Sequence, residues 1–150
     1  MKVLIVDDDP VSRRLLQSYL QKWGYEVVVA LDGADAWRRF EQEEFAIVVS
    51  DWMMPEVVGT ELIRRIRASG RPNYVYTILL TGRSQKEDLV EGMEAGADDF
   101  VGKPFLAEEL QVRLRAGERI VKLERAMADQ NRELREAQDA LQKAAARPSG

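Results

Sequence analysis

The feature that most constrains the fold of this chain is a regular alternation of short apolar runs with amphipathic stretches. Each apolar run has the length of a β-strand, is rich in β-branched residues and does not alternate with polar positions. The runs cover residues 3–6, 27–31, 45–49, 76–80 and, more weakly, 100–101. Strands buried on both faces of a parallel sheet have this composition. The alternation therefore predicts an α/β fold, a doubly wound five-stranded parallel sheet with helices on both faces and right-handed crossovers.

The amphipathic stretches predict helices with recognisable ends. Asp9 followed by Pro10 predicts an N-cap and a first helical position, and Gly24 and Gly96 are placed to end helices. Apolar residues at helical spacing predict the faces that pack on the sheet. These residues are Trp37 and Phe40 in the second helix, Leu62, Ile63 and Ile66 in the third, and Leu89, Val90 and Met93 in the fourth.

Two groups of charged residues are interpreted as solvated. Arg64, Arg65 and Arg67 predict a solvent-facing side of the third helix. Asp98 and Asp99 predict a solvated loop before the last strand.

The fifth helix is predicted to run far beyond the sheet. Residues 107–146 contain no Pro and a single Gly, Gly117. An α-helix of about 40 residues would reach roughly 60 Å. We therefore divide the chain into a domain core over 1–106, an extended fifth helix and coiled-coil linker over 107–146, and a tail over 147–150.

Apolar residues recur every seventh position along this helix, which is typical of a coiled coil. The a positions are Ile120, Met127, Leu134 and Leu141, and the d positions are Leu123, Gln130, Ala137 and Ala144. The d column is therefore weak. We expect a parallel homodimer through this seam; the alternative is a solvated helix that lies against its own domain.

The composition removes several kinds of chemistry. The chain has no Cys and no His, which excludes disulfides, thiolate or imidazole metal sites and Ser-His-Asp triads. A net charge of −4 does not suggest a nucleic-acid partner. No stretch approaches the ~20 apolar residues of a membrane span, and no signal peptide is recognisable, so a cytoplasmic protein is expected.

Polar residues follow the apolar runs, at the edge of the sheet where such folds place their sites. Asp7 and Asp8 follow the first run, Asp51 the third, Thr81 the fourth and Lys103 the fifth. Clustered carboxylates without His or Cys suit Mg²⁺. An Asp beside a metal, a Lys and a hydroxyl has what aspartyl phosphorylation requires, with the carboxylate attacking phosphorus in line.

Four motifs at these positions resemble the receiver domain of two-component response regulators. They lie at residues 6–8 (Val-Asp-Asp), 51–55 (Asp-Trp-Met-Met-Pro), 80–82 (Leu-Thr-Gly) and 100–105 (Phe-Val-Gly-Lys-Pro-Phe). The resemblance covers residues 2 to about 118 and implies a flavodoxin-like fold. Each motif alone is weak, but all four in order, each at a strand end, are highly specific.

The resemblance implies a role for each residue of the site. Asp51 would be the phosphoacceptor, and Lys103 would pair with the phosphoryl group. Asp7, Asp8, Asp51 and the backbone carbonyl of Met53 would hold Mg²⁺. Because the chain has no His, it would need a separate sensor histidine kinase or phosphotransfer protein as its donor.

The resemblance also implies a switch. Thr81 would move to hydrogen-bond the phosphoryl group, and Phe100 would turn inward with it, altering the face formed by helix four, strand five and helix five. Phe100 is often Tyr in this family, so any step that needs a hydroxyl is absent. Met53 and Arg83 lie where receivers tune the lifetime of the phosphoryl group; an apolar side chain and a cation orient no attacking water, so a long lifetime is expected.

The expected protein is thus a signalling switch rather than an enzyme, with an output domain absent from these residues or an output partner. Residues 115–120, followed by the heptads, resemble linkers that lead into diguanylate cyclase domains. Two alternatives stay open: a stand-alone receiver or dimerisation scaffold that acts through its helix, and a phosphatase of the haloacid dehalogenase type. Asp7 and Asp9 fit the opening motif of that phosphatase, but its acidic pair should follow Lys103 instead of preceding it.

Overall fold

The computed structural model describes residues 1–54, 56–82 and 86–146, with the backbone alone at 86–88. Strands and helices alternate along the chain, as the apolar pattern predicts. They are β1 (Lys2–Val6), α1 (Pro10–Lys22), β2 (Glu26–Ala30), α2 (Gly33–Gln42), β3 (Ile47–Asp51), α3 (Gly59–Ala68), β4 (Tyr76–Thr81), α4 (Lys86–Ala95), β5 (Asp99–Gly102) and α5 (Ala107–Ala146). The strands form one parallel sheet in the order β2-β1-β3-β4-β5, which confirms the doubly wound fold.

The two faces of the sheet bury different helices. Alternate residues of a strand point to opposite faces. Val3 and Ile5 pack with α1 and α5, whereas Leu4 and Val6 pack with α2 and α3. All four are fully buried, as strands covered on both faces require.

The predicted helix ends are confirmed. The Asp9 carboxylate accepts a hydrogen bond from the Val11 N–H at 3.2 Å, with Pro10 as the first helical residue. Gly24 and Gly96, at φ of 93° and 107°, follow α1 and α4 in the left-handed conformation that favours glycine.

Strand bounds differ from the apolar runs by one or two residues. Strand β3 begins at Ile47, not at Phe45, and it ends at Asp51. Phe45 is buried as a core residue next to the strand. The apolar run therefore marks burial, and the strand continues two residues beyond it, through Ser50 and Asp51 of the polar motif.

The apolar face predicted for α4 is wrong. Leu89, Val90 and Met93 are 37%, 51% and 57% exposed, whereas Gly92 and Ala95 are buried. The helix packs on the domain through its smallest residues because it lies close to the sheet. In α2, Phe40 is fully buried as expected, and Trp37, which stacks on it, is only half-buried.

Three of the charges interpreted as solvated are paired and largely buried. Arg67 Nη2 lies 2.6 Å from Asp98 Oδ2, with side chains 26% and 17% exposed. Asp99 is the first residue of β5 and pairs with Arg113 at 3.3 Å. The prediction of a solvated Asp98-Asp99 loop is therefore wrong, because their partners lie on other elements. Arg64 and Arg65 do face solvent.

The 40-residue α5 is confirmed, and only its first half contacts the domain. Its buried residues are Leu110, Leu114, Gly117 and Val121. A Cβ on Gly117 would lie 2.6 Å from the Tyr76 ring, so glycine allows the helix to approach β4. Every residue from 126 to 146 is exposed. Among the described residues, no helix is long and apolar enough to cross a bilayer.

Candidate functional site

The sheet brings the predicted site residues to one edge. Val6 of β1 pairs with Ser50 of β3, so Asp7 and Asp51 leave neighbouring central strands side by side. Thr81, the last residue of β4, is paired with Gly102, and Lys103 follows β5. The Lys103 N–H donates to the Thr81 carbonyl at 2.7 Å, which fixes the start of the β5–α5 loop beside β4.

Three carboxylates converge at this edge. Asp7, Asp8 and Asp51 each offer an oxygen, and these oxygens lie within 4.8 Å of one another. Asp7 is fully buried, Asp51 is 14% exposed and Asp8 faces solvent. All donors are hard oxygens, and the cluster is open to water on the Asp8 side. This donor set fits Mg²⁺, which binds one or two carboxylates and keeps several waters.

Lys103 is the cation of the cluster. Its Nζ lies 2.9 Å from Asp7 Oδ2 and 3.1 Å from Asp51 Oδ2. The ammonium therefore contacts two of the three carboxylates, and the four side chains together carry an excess of negative charge. A divalent cation would neutralise that excess.

The pKa values of the site reflect this imbalance. Burial raises the pKa of Asp51; the charge of Lys103 opposes this effect, and Asp7 adds to it. Burial opposes the charged form of Lys103, but its hydrogen bond to Asp7 and the charge of Asp51 outweigh burial and raise its pKa. Lys103 therefore stays protonated, and a cation at the carboxylates would return the Asp51 pKa toward its ordinary range.

Other residues hold the site in place, and two of them, Arg13 and Gly59, are not identified from the sequence. The Asp9 N–H donates to Asp7 Oδ1 at 2.9 Å, and Arg13 Nη1 donates to the Asp7 carbonyl at 3.0 Å. Gly59, the first residue of α3, lies so close to β3 that a Cβ would come within 2.4 Å of the Asp51 carbonyl. A single glycine between two helical patterns was the only sequence signal for this approach.

The two predicted switch residues lie beside the site. Thr81 is buried, at 8% exposure. The Phe100 ring stacks on the Trp52 ring with 6.2 Å between centroids, and both pack against a small apolar cluster that includes Leu79. Met53 has a 62% exposed side chain. The predicted lifetime residue Arg83, Pro55 of the second motif and the tail at 147–150 lie outside the described residues.

The sequence model of the response regulator receiver domain matches residues 3–115. This chain belongs to that family. As a receiver, it is a signalling switch of two-component systems, and such a domain implies a histidine kinase or another phosphodonor as partner.

Curated relatives and solved structures agree with the family. The transcriptional regulatory protein TrcR of Mycobacterium tuberculosis is 42% identical to the receiver over 115 residues, which is 77% of this chain and 44% of TrcR. The chain spans less than half the length of the curated relatives it matches.

Two solved structures illustrate the similarity in fold. The chemotaxis protein CheY4 of Vibrio cholerae has a TM-score of 0.73 and 33% identity, covering 77% of this chain and 96% of CheY4. A probable two-component system response regulator/GGDEF domain protein has a TM-score of 0.76 and 28% identity, covering 81% of this chain and 50% of that chain.

The geometry also disfavours the phosphatase alternative. The acidic pair that it needs lies away from Lys103, since the Asp98 N–H donates to the carbonyl of Thr77, near the start of β4. The exposed carboxylate of Asp9 caps α1. The chemistry predicted for a receiver uses neither this acidic pair nor the Asp9 carboxylate.

Proposed function

We propose that this receiver accepts a phosphoryl group on Asp51 and that the change reaches the pairing of its α5 helices. The observation that carries the proposal is the position of Lys103 Nζ, shared between Asp7 and Asp51. It places a fixed positive charge beside the carboxylate that would be modified.

Asp51 is favoured over its two neighbours by exposure and by contacts. Asp7 is fully buried, and its oxygens accept from the Asp9 N–H and from Lys103, which leaves it no path to a donor. Asp8 is exposed and has the freedom to bind a hydrated cation. Asp51 combines partial exposure with the Lys103 pair.

The transfer would proceed in line. An Asp51 oxygen forms a bond to phosphorus while the phosphorus–nitrogen bond of a phosphohistidine breaks, and the imidazole leaves with the bonding pair. Lys103 holds an oxygen of the transferred group, and Thr81 donates its hydroxyl proton to another once it has moved. Asp7, Asp8, Asp51 and the Met53 carbonyl would hold Mg²⁺, which when bound neutralises charge on the phosphoryl oxygens.

Intact mass after incubation with acetyl phosphate and Mg²⁺ tests this proposal. We expect the mass of one phosphoryl group to be added to the parent and lost in Asp51→Asn. Asp9→Asn is the matched control, because Asn also caps a helix and the same charge is removed at the residue next to Asp8 of the cluster. Phosphorylation that persists in Asp51→Asn, or is absent from the parent, would overturn the assignment; an unmodified parent would favour the scaffold alternative.

An exposed apolar stripe that runs from Ile120 into the free second half of α5 supports self-association. Ile120, Met127, Leu134 and Leu141 are 37%, 57%, 56% and 71% exposed, and Leu123 is 64% exposed. These residues lie on a different stripe from Leu110, Leu114, Gly117 and Val121, which face the domain. The free half does not lie against its own domain, so a second copy is the occupant that we propose for its apolar seam.

Size-exclusion chromatography with light scattering tests the seam. We expect a dimer for the parent, a monomer for Leu134→Glu at an a position, and a dimer for Arg135→Glu at the neighbouring b position. Both variants introduce the same side chain on the same turn. A parent that is monomeric at all concentrations would remove the dimer from the proposal.

We further propose that phosphorylation changes this pairing and thereby an output domain in a longer protein or a partner that binds the helix. The similarity to a response regulator/GGDEF domain protein supports the first of these. Beryllofluoride with Mg²⁺ should shift the dimer dissociation constant by about 5- to 150-fold, the usual range of allosteric coupling. Asp51→Asn should show no shift, and an unchanged constant in the parent would contradict the coupling.

A further inference from the structure

Gly92 in α4 lies against the ring of Phe100. A Cβ on Gly92 would come within 2.5 Å of Phe100 Cε1, 2.6 Å of Phe100 Cζ and 3.2 Å of Leu79 Cδ1. Real Cβ atoms essentially never approach other atoms within 3.0 Å. The ring therefore occupies space that any other residue at position 92 would fill.

The backbone alone does not explain this glycine. Gly96 ends α4 with a positive φ of 107°, but Gly92 lies inside the helix and is not among the positive-φ glycines. A glycine in a helix interior destabilises the helix relative to alanine. The contact with Phe100 is the feature of the structure that accounts for it.

Three residues form the recess that receives the ring, which we call the Phe100 slot: Trp52, Leu79 and Gly92. The Trp52 and Phe100 rings stack at 6.2 Å with 25° between their planes. Phe100 has no hydroxyl, so no hydrogen bond can hold it in another position, and packing in the slot decides where it lies. Trp52 follows Asp51 directly, so the slot joins the phosphoacceptor to α4.

We propose that Gly92 is the positioning residue for the switch aromatic: its missing side chain leaves room for the Phe100 ring in the slot, and this contact transmits the state of Asp51 to α4. This inference rests on the proposed function. A methyl group at position 92 would displace the ring while leaving Asp51, Lys103 and Thr81 in place. Phosphorylation would then proceed without its conformational consequence.

Trp52 emission provides the readout, in a Trp23→Phe, Trp37→Phe background that leaves Trp52 as the only indole. In this background the parent should change its emission when beryllofluoride and Mg²⁺ are added. Gly92→Ala should lose that change and bind beryllofluoride about 5- to 150-fold more weakly, while acetyl phosphate still adds one phosphoryl mass. A substitution that only disturbed α4 would not abolish the emission change while leaving phosphorylation intact.

Gly102→Ala is the matched control. It adds the same methyl group two residues from Phe100, where the nearest atom is the Thr81 carbonyl oxygen at 3.9 Å. It should keep the emission change of the parent. A Gly102→Ala variant that behaves like Gly92→Ala, or a Gly92→Ala variant that responds like the parent, would overturn the inference.

The double variant Gly92→Ala, Phe100→Ala guards against simple misfolding. With the ring removed, the methyl group no longer meets its two nearest atoms. Gly92→Ala should therefore lower the free energy of unfolding in the parent background but not in a Phe100→Ala background. An equal loss in both backgrounds would show that the methyl group meets something else and would overturn the inference. A parent without phosphorylation or emission change would instead contradict the proposed function itself.

Discussion

The two edges of the sheet carry polar clusters that differ in their balance of charge. At the carboxyl edge, Asp7, Asp8 and Asp51 cluster around one cation, Lys103, which contacts Asp7 and Asp51. At the amino edge, a second group, here called the Arg67 cluster, consists of Arg67, Tyr74, Thr77 and Asp98. It has one cation and one anion, and each makes several hydrogen bonds.

The hydrogen bonds of the Arg67 cluster tie together three elements. Arg67, near the end of α3, donates to the Val75 carbonyl at 2.7 Å and to the Gly96 carbonyl at 2.9 Å. It also donates to Thr77 Oγ1 at 3.1 Å and pairs with Asp98, which accepts from Tyr74 Oη as well. A buried charge with every partner in place stabilises its surroundings, whereas an unbalanced group of charges retains the capacity to bind and react.

The largest test of this contrast is to break the balanced cluster. Arg67→Met should lower the free energy of unfolding by about 3 kcal/mol, because it leaves the Asp98 charge without its cation and two carbonyls without their donor. Urea unfolding measures this loss. Arg64→Met is the control. Arg64 is half exposed, its distance of 3.9 Å to Glu61 is long for an ion pair, and its loss should cost about 0.5 kcal/mol or less. Equal costs for the two variants would contradict the contrast.

A pH test acts on the same cluster with a smaller effect. Burial and the hydrogen bond to Asp98 raise the pKa of Tyr74 to about 12. The stability that this shift represents is present below the ordinary pKa of 10 and is lost as pH rises toward 12. After discounting for solvent screening, the loss should be about 1.5 kcal/mol.

Urea midpoints of the parent and Tyr74→Phe measured from pH 9 upward check this expectation. The parent should lose its advantage over the variant as pH rises above 10. Tyr76, whose pKa is also raised to about 12, is present in both proteins, so the difference isolates Tyr74. Parallel pH profiles would contradict the expectation.

The smallest expected effect has the opposite sign and comes from the unbalanced site. In metal-free protein, Asp51→Asn should raise the free energy of unfolding by about 1 kcal/mol, because it removes one of three crowded carboxylates. The raised pKa of Asp51 favours the folded state at low pH, so this gain should appear as pH rises above 3.8. Added Mg²⁺ should stabilise the parent more than the variant. A destabilised Asp51→Asn in metal-free buffer would mean that the site is as balanced as the Arg67 cluster.

The difference between the clusters also explains what the sequence could predict. Asp7, Asp51 and Lys103 follow strands, and a parallel sheet gathers strand ends at one edge whatever the remaining details. Arg67 and Asp98 meet because α3 and the α4–β5 loop lie side by side, and residues 31 positions apart carry no local pattern that announces this. The acidic site is therefore predictable from the sequence, whereas the sequence pattern indicates solvent-facing charges at Arg67 and Asp98.

The same distinction holds for α4 and α5. Heptad spacing and the absence of proline predicted the length of α5, since helix continuity is a local property. Burial on α4 depends on how close the helix lies to the sheet. Gly92 and Ala95 fill that narrow gap, and larger residues such as Met93 are left outside.

The division of α5 into a packed half and a free half makes the helix a lever. Residues 126–146 extend roughly 30 Å beyond the last contacts with the domain. A tilt of about 10° in the packed half would carry the far end sideways by about 5 Å, close to the pitch of one helical turn. A tilt that leaves the core of the receiver undisturbed would thus displace the tip of the helix by about one helical pitch. A displacement of that size would alter the pairing proposed for two α5 helices.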